Sequence, residues 1–424
     1  MLNNKVIRYG GIMLKVYFHD RDVGRLQQDD RGFLTFEYND QALDDPESSA
    51  ISVRLPVRPE SYEDRECRPY FENLLPESSI RDLISAAKKI DTSDTIRLLG
   101  AIGGECAGAV SVWPEGSSPE HPPQYEKCSR EYIAALFEIP RGEDIISVHL
   151  RTRQSLSGAQ EKLVLRRDSD EYFLPLRGAA SNVILKRPKE QFPGLVQNEL
   201  VCMSLMERAG LPVAGSNVSS AWSGLFESQR YDRIVQDDGS INRLHQEDFC
   251  QLVGKGAARK YQESGGPDVN EIRIIIERHS SLAIEDVEYL LRWTIVNLCI
   301  GNNDAHAKNL SMLYTREGLR LSPTYDAVST VVYPFIDSTL AIYFGGQSRF
   351  EAIDASAFRT FARSLGYPKP TFPLAITEEV IDALLSSIDE VCHNIAQAAG
   401  HHAIIEEIAR QVRERSNRLR EAVV

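Results

Sequence analysis

Residues 300–311 read IGNNDAHAKNLS and crowd Asn302, Asn303, Asp304, His306, Lys308 and Asn309 into a few positions. Asp304 and Asn309 stand five residues apart. A carboxylate there could orient and deprotonate an attacking hydroxyl, and an amide oxygen could hold a divalent cation, the two parts that phosphoryl transfer needs. Downstream, LRLSPTYDAVST supplies Asp326 as a second cation ligand. Mg²⁺ takes few carboxylates alongside phosphate oxygens and water, so Asn309 with Asp326 would suffice. His306 and Lys308 could place positive charge beside the transferring group. A plainer reading is a capped helix end, with Gly301 as the C′ residue and Asn and Asp in turns. That reading leaves His306 and Lys308 unexplained and does not predict Asp326.

Two further stretches fit the same chemistry. SLSGAQEKLVL (155–165) is a small-residue loop running into an apparent strand. Its Gly158 and Ala159 could let backbone N–H groups approach phosphates, although the spacing is not that of a Walker loop and an ordinary β-turn fits the stretch alone. Lys186 ends the apolar strand SNVILK, where protein kinases keep a phosphate-holding lysine, and Glu199 on the following helix is a possible partner. A solvated strand-end lysine is the alternative. The order of phosphate loop, strand lysine, helix, hairpin, buried helix, Asp…Asn loop and downstream Asp is that of a kinase-like fold.

The elements that must position these groups follow from the patterning. MLKVYF and LTFEY are strand-like with DDRG as a turn between, AISVRLPV reads as a further strand, and YFENLLPESSIRDLISAAKKI reads as helical. The glycine cluster LLGAIGGECAGAVSVWP lacks nucleotide-loop order and reads as close-packed turn. PEGSSPEHPPQ (114–124) is the clearest linker. Beyond it come EKLVLRR, EYFLPL, SNVILKRP and AWSGLFESQRYDRIV as strands, Asp238-Gly239 as a hairpin turn, and LVQNELVCMSLMERAG as a helix with Gly210 at C′. From about residue 245 the pattern becomes helical to the end, and Val287, Leu290, Leu291, Ile295 and Leu298 mark a helix buried nearly all round. The expected class is α+β: a β-rich N-terminal lobe with an amino-terminal subdomain, and an all-α C-terminal lobe. The expected boundaries are 13–115, 116–240 and 241–424.

Composition bounds the setting. At 424 residues the chain is long enough for two or three units, and 42% hydrophobic content supports real cores. A formal charge of -13 argues against broad, sequence-independent nucleic-acid binding. The 7 cysteines are scattered without CxxC spacing, which reads as buried reduced thiols and a cytoplasmic setting. No signal-peptide pattern and no stretch of about 18 apolar residues is present, so no membrane association is expected.

At these residues the chain resembles the HipA family of serine/threonine kinase toxins from type II toxin–antitoxin modules. The resemblance is carried by SLSGAQEK, ILKRP, QRYDR, LHQEDFCQLVGKGAARKYQESGGP, GNNDAHAKN and LSPTYDAVS. SVRLPVR, RPYFENLLPE and GAIGGECAGAVS resemble the family's amino-terminal subdomain. The resemblance implies an ATP- and Mg²⁺-dependent protein kinase that phosphorylates an aminoacyl-tRNA synthetase, the glutamyl enzyme favoured. It also implies neutralisation by a HipB-like helix-turn-helix antitoxin, through which operator DNA is mainly bound. By motif, Asp304 would be the catalytic base, Asn309 and Asp326 the metal ligands and Lys186 the phosphate lysine. His306, Lys308 and Tyr325 would line the ATP site. Ser157, Gly158, Ala159, Gln160, Glu161 and Lys162 would cover the phosphates, while Gln229, Arg230 and Tyr231 would form the hinge at adenine. Glutamate can stand in the family hinge where this chain has Gln229.

Ser155 matches the serine that such kinases autophosphorylate, and Ser157 adds a second hydroxyl where the familiar toxin has a small apolar residue. Phosphate at either would bring about −1.5 to −2 charge beside the nucleotide phosphates, with Ser155 the expected inhibitory site. Two other readings use the same residues. A small-molecule kinase of the aminoglycoside phosphotransferase type shares Asp-x-x-x-x-Asn but not the amino-terminal subdomain. A non-catalytic corepressor subunit would have lost Asp304, Asn309, Asp326 or Lys186, and all are present.

Overall fold

The computed structural model describes residues 12–46, 48–138, 143–155, 162–188, 190–221 and 224–423. In the amino-terminal part an antiparallel sheet runs in the order Leu34–Tyr38, Arg21–Gln28, Met13–Phe18, Val110–Pro114. Leu14 and Val16 alternate into a core with Leu26, Phe36, Phe71 and Ile84, against the helices Asp64–Asn73 and Ser78–Lys88. The helical stretch breaks between them at Leu74–Glu77, where Pro76 cannot continue a helix. One expectation fails here. AISVRLPV is no strand but a turn closed by a Ser52–Leu55 bridge. A further strand, Arg21–Gln28, lies between the two expected ones; RDVGRLQQ has little alternation and is strand because it pairs on both edges.

After the 114–124 linker a six-stranded sheet runs Gln124–Cys128, Glu171–Leu176, Lys162–Asp168, Val183–Lys186, Phe226–Gln229, Ser216–Val218. One face covers a core of Leu163, Leu165, Val183 and Leu185 under the helices Arg130–Glu138 and Glu143–Thr152. Val183 and Leu185 point into this core, so period-two alternation sends Ile184 and Lys186 to the opposite face. The two sheets are tied by Glu105, fully buried, which accepts from Arg230 (2.9 Å), Arg233 (3.2 Å) and Arg243 (2.6 Å).

The C-terminal lobe packs the helices Leu195–Arg208, Ala283–Ile300, Thr371–Ala399 and Ala403–Val423 around one large apolar core. It is mainly helical but not all-α. Gln246–Asp248, Ser311–Thr315 and Gly318–Leu321 form a small sheet, and Thr339–Phe344 pairs with Gln347–Arg349. The chain must reverse twice near the IGNNDAHAKNLS loop, and short hairpins do so while pairing their own backbone. All 7 cysteines are free. Among the described residues no helix is long and apolar enough to cross a membrane.

Candidate active site

Lys186 leaves the sheet on its cleft face and places Nζ 2.6 Å from Glu199 Oε1 and 2.6 Å from Asp326 Oδ1. Glu199 stands on the buried face of the Leu195–Arg208 helix. Burial pulls the lysine's pKa down, but Asp326 and Glu199 together hold it above the ordinary value. The shared cation divides its two anions. Asp326, whose side chain is 45% exposed, is only partly desolvated, and Lys186 and Lys162 hold its carboxyl below the ordinary range. Burial pushes Glu199 up to about 7. Asp326 has φ 59°, in the left-handed region that few non-glycine residues adopt. Lys162 pairs in register with Lys186 on the neighbouring strand, and burial with that second ammonium lowers it to about 8.

The 301–311 loop hangs from the buried Ala283–Ile300 helix. Gly301 (φ 71°) is its left-handed cap, and a Cβ there would meet Val331 Cγ2 at 2.3 Å. Asn302 Nδ2 donates to Asn297 Oδ1 (2.8 Å), and the Asn303 N–H to Thr330 Oγ1 (2.8 Å). These bonds fix the backbone entering Asp304, whose Oδ1 accepts from the Tyr261 hydroxyl at 2.7 Å. Asn309 Nδ2 donates to the Asp304 carbonyl (3.3 Å), which leaves its amide oxygen as the end available to a cation. Asn309 and Asp326 line one cavity and together offer two hard oxygen donors, a set that fits Mg²⁺.

His306 and Lys308 differ from expectation. His306 is buried, and burial outweighs the pull of Asp304 to push its pKa down to about 4, so the ring is neutral near pH 7 and brings no positive charge. Lys308 keeps its proton, but that charge is already engaged by Asn73 Oδ1 (2.9 Å), Glu77 (3.3 Å) and Asp248 (3.7 Å). Glu77 also takes Lys260 at 2.6 Å. Against burial, the two lysines hold Glu77 down at about 2. Glu77, Asp248, Lys260 and Tyr261 carry no role in the reading of the sequence. A signal was present, since all four lie in stretches that carry the family resemblance or directly adjoin one.

At the expected hinge, the Gln229 and Arg230 N–H groups donate to Gly215 O (2.7 Å) and Asn182 O (2.9 Å). The Arg230 side chain is engaged by Glu105 and Asp232 in a buried cluster. Tyr231 packs on Tyr325 (ring centroids 5.2 Å), whose hydroxyl donates to Lys308 O (2.7 Å). Ser155 is fully buried, with Oγ donating to Leu74 O at 2.6 Å. Ser157, Gly158, Ala159, Gln160 and Glu161 lie outside the described residues.

Two cavities meet at this cluster. One, of about 170 Å³, runs from Gln229 and Tyr231 past Tyr325 to Asn309. The other, of about 500 Å³, shares Lys162, Lys186, Asp304 and Asp326 with the first and is otherwise lined by different residues. A cleft with a lysine–carboxylate pair at the junction of two cavities can hold a nucleotide in one and an acceptor in the other.

The HipA N-terminal domain matches residues 14–113, and the HipA-like C-terminal domain matches residues 154–410. A "Putative kinase Y4mE" of Sinorhizobium fredii is 34% identical over 96% of this chain and 98% of its own. The serine/threonine-protein kinase toxin HipA of Shewanella oneidensis is 29% identical over 78% of this chain and 75% of its own. In fold, the chain matches Shewanella oneidensis HipA, solved in complex with HipB and its operator DNA, at a TM-score of 0.79, with 22% identity, 97% of this chain and 100% of that one. With both domains matched along most of its length, the chain belongs to the HipA kinase family.

Proposed function

We propose that the chain is an ATP- and Mg²⁺-dependent serine/threonine protein kinase acting in the cytoplasm as the toxin of a toxin–antitoxin pair. The observation that carries this reading is Lys186, 2.6 Å from both Glu199 and Asp326, in a cleft that also holds Asp304 and Asn309. In this reading Lys186 holds the nucleotide phosphates, and Glu199 keeps its ammonium aimed at them. Asp326 and Asn309 would hold Mg²⁺, which when bound neutralises charge on the phosphates. Asp304 accepts the proton of a serine or threonine hydroxyl as that oxygen attacks, while the rigid helix behind it limits the positional error. With the Gln229 and Arg230 N–H groups already engaged, purine recognition falls to hinge carbonyls and to Tyr231.

The acceptor in this reading is an aminoacyl-tRNA synthetase, the glutamyl enzyme favoured, and the partner is a HipB-like helix-turn-helix antitoxin that carries the operator contacts. Ser155 and Ser157 are the proposed autophosphorylation sites. Ser155 must leave its bond to Leu74 O to accept phosphate, so modification and departure of the segment go together. Fragment mass spectrometry of ATP-treated protein tests this, and absence of phosphate on both serines would refute it.

The test of the whole reading is Asp304→Asn. Growth arrest and phosphoryl transfer should both vanish while nucleotide binding remains. Survival of transfer would remove Asp304 as the base. Phosphoproteomics after brief induction, compared against this variant, would name the acceptor.

A further inference from the structure

The larger cavity has a character that phosphoryl transfer alone does not require. Its inner end is the shared cluster of Lys186, Asp304 and Asp326, and its wall beyond them is formed by Phe192, Leu195, Tyr333, Ile336 and Leu340. Phe192 packs on Tyr333 (ring centroids 5.1 Å) and on Phe335 (5.4 Å), and Phe335 stands 60% exposed at this site. Tyr333 is not there for a polar contact with a ligand, since its hydroxyl is spent on Pro193 O (3.2 Å). Its ring, 5% exposed, backs Phe192 and Phe335 from the core.

Phe192 is only part-buried and the neighbouring Phe335 is 60% exposed, and aromatic surface left open beside a carboxylate is costly to keep unless something covers it. The nucleotide does not, because the hinge residues line the other cavity. What enters the larger cavity must bring a hydroxyl to Asp304 and an apolar group to this wall at the same time. Glu263 and Asp337, both exposed and lining the same cavity, make it inhospitable to acidic neighbours.

We infer that the 500 Å³ cavity is the acceptor site, built for a protein segment whose serine or threonine is flanked by a bulky apolar residue and not by acidic ones. The apolar side chain seats against Phe192, Tyr333 and Ile336, and this fixes which hydroxyl in the segment reaches Asp304. The inference rests on the kinase reading and adds the chemistry of the acceptor to it.

The full chain incubated with Mg-ATP and a dephosphorylated proteome digest tests it, with phosphorylated peptides sequenced by mass spectrometry. Phosphosites should show a large apolar residue at one fixed offset and a depletion of Asp and Glu beside it. In Phe192→Ala and Ile336→Ala that preference should flatten and the KM for a preferred peptide rise about tenfold. An unchanged nucleotide affinity in the same variants shows that the fold and the other cavity are intact. Transfer without apolar preference, or a preference that both variants retain, overturns the inference while leaving the kinase reading in place. Absence of transfer to any peptide while the chain still phosphorylates itself overturns this inference alone; absence of both overturns the kinase reading with it. Concentration-dependent self-association that is lost in both variants would make a second copy the occupant and also overturn it.

Discussion

The Tyr261 hydroxyl donates to Asp304 Oδ1 across 2.7 Å, from an element more than forty residues away in the chain. Burial, and then the Asp304 charge, raise the tyrosine pKa, so it stays a donor throughout the working range. One carboxylate oxygen is thereby held, and the other is left to meet an acceptor hydroxyl. Hydrogen bonds to charged groups contribute about 1.5–3 kcal/mol. Tyr261→Phe should therefore lower kcat by roughly 10- to 100-fold with the KM for ATP unchanged. Steady-state kinetics on a protein acceptor decide it, and an unaltered kcat would show that the loop alone orients Asp304.

Lys186→Met should abolish the phosphate contact and leave Glu199 and Asp326 without the cation they share. Nucleotide affinity should fall on the order of tenfold or more, and transfer further still. Isothermal titration with Mg-ATP measures the first and a radiolabel assay the second. Retention of both would remove Lys186 from the site.

Glu105 shares a buried cluster with Asp232, Arg230, Arg233 and Arg243, and against burial the arginines hold its pKa at about 2. Removing one member of such a cluster costs about 3–5 kcal/mol, because the remaining charges stay buried. Glu105→Gln should lower the urea midpoint accordingly. A depressed carboxyl pKa contributes stability above its unfolded value and loses it as pH falls, here from about 4.5 towards about 2. The variant should therefore lose part of the wild-type acid dependence in that window.

Glu247 runs the other way. It is fully buried, its Oε1 accepts from Tyr314 and from the Val53 N–H (3.2 Å), and its Oε2 has no hydrogen-bond partner among the described residues. Burial raises its pKa to about 7. The folded state then binds more protons than the unfolded one between about 4.5 and about 7, so stability falls as pH rises through that range. Glu247→Gln should remove this slope and stabilise the protein at pH 8 by ~2 kcal/mol. Thermal melts at several pH values would show it, and parallel wild-type and variant curves would refute it.

Several parts of the site were legible because they are local. Gly301 caps the Ala283–Ile300 helix, Asp238-Gly239 turns a hairpin, and Lys186 ends a short apolar strand, each set by periodicity, backbone sterics or turn chemistry within a few residues. Glu199 could be proposed as the partner of Lys186 because the strand and the following helix are close in sequence. Alternation misled where pairing decided the outcome: RDVGRLQQ is strand through its two neighbours, and AISVRLPV is turn despite its β-branched residues.

By itself the sequence determined that Asp304, Asn309, Asp326 and Lys186 exist in kinase-like order on elements able to present them. Only the tertiary structure decided the protonation and direction of what surrounds them. Burial made His306 neutral, Glu77 and Asp248 claimed the charge of Lys308, and Tyr261 reached Asp304. The apolar wall beside Asp304 likewise joins Phe192 to Tyr333 and Ile336 across more than a hundred residues. The physical reason is that spacing along a chain constrains only near neighbours. Desolvation and Coulomb interaction depend on which distant groups the packed core brings within a few ångströms.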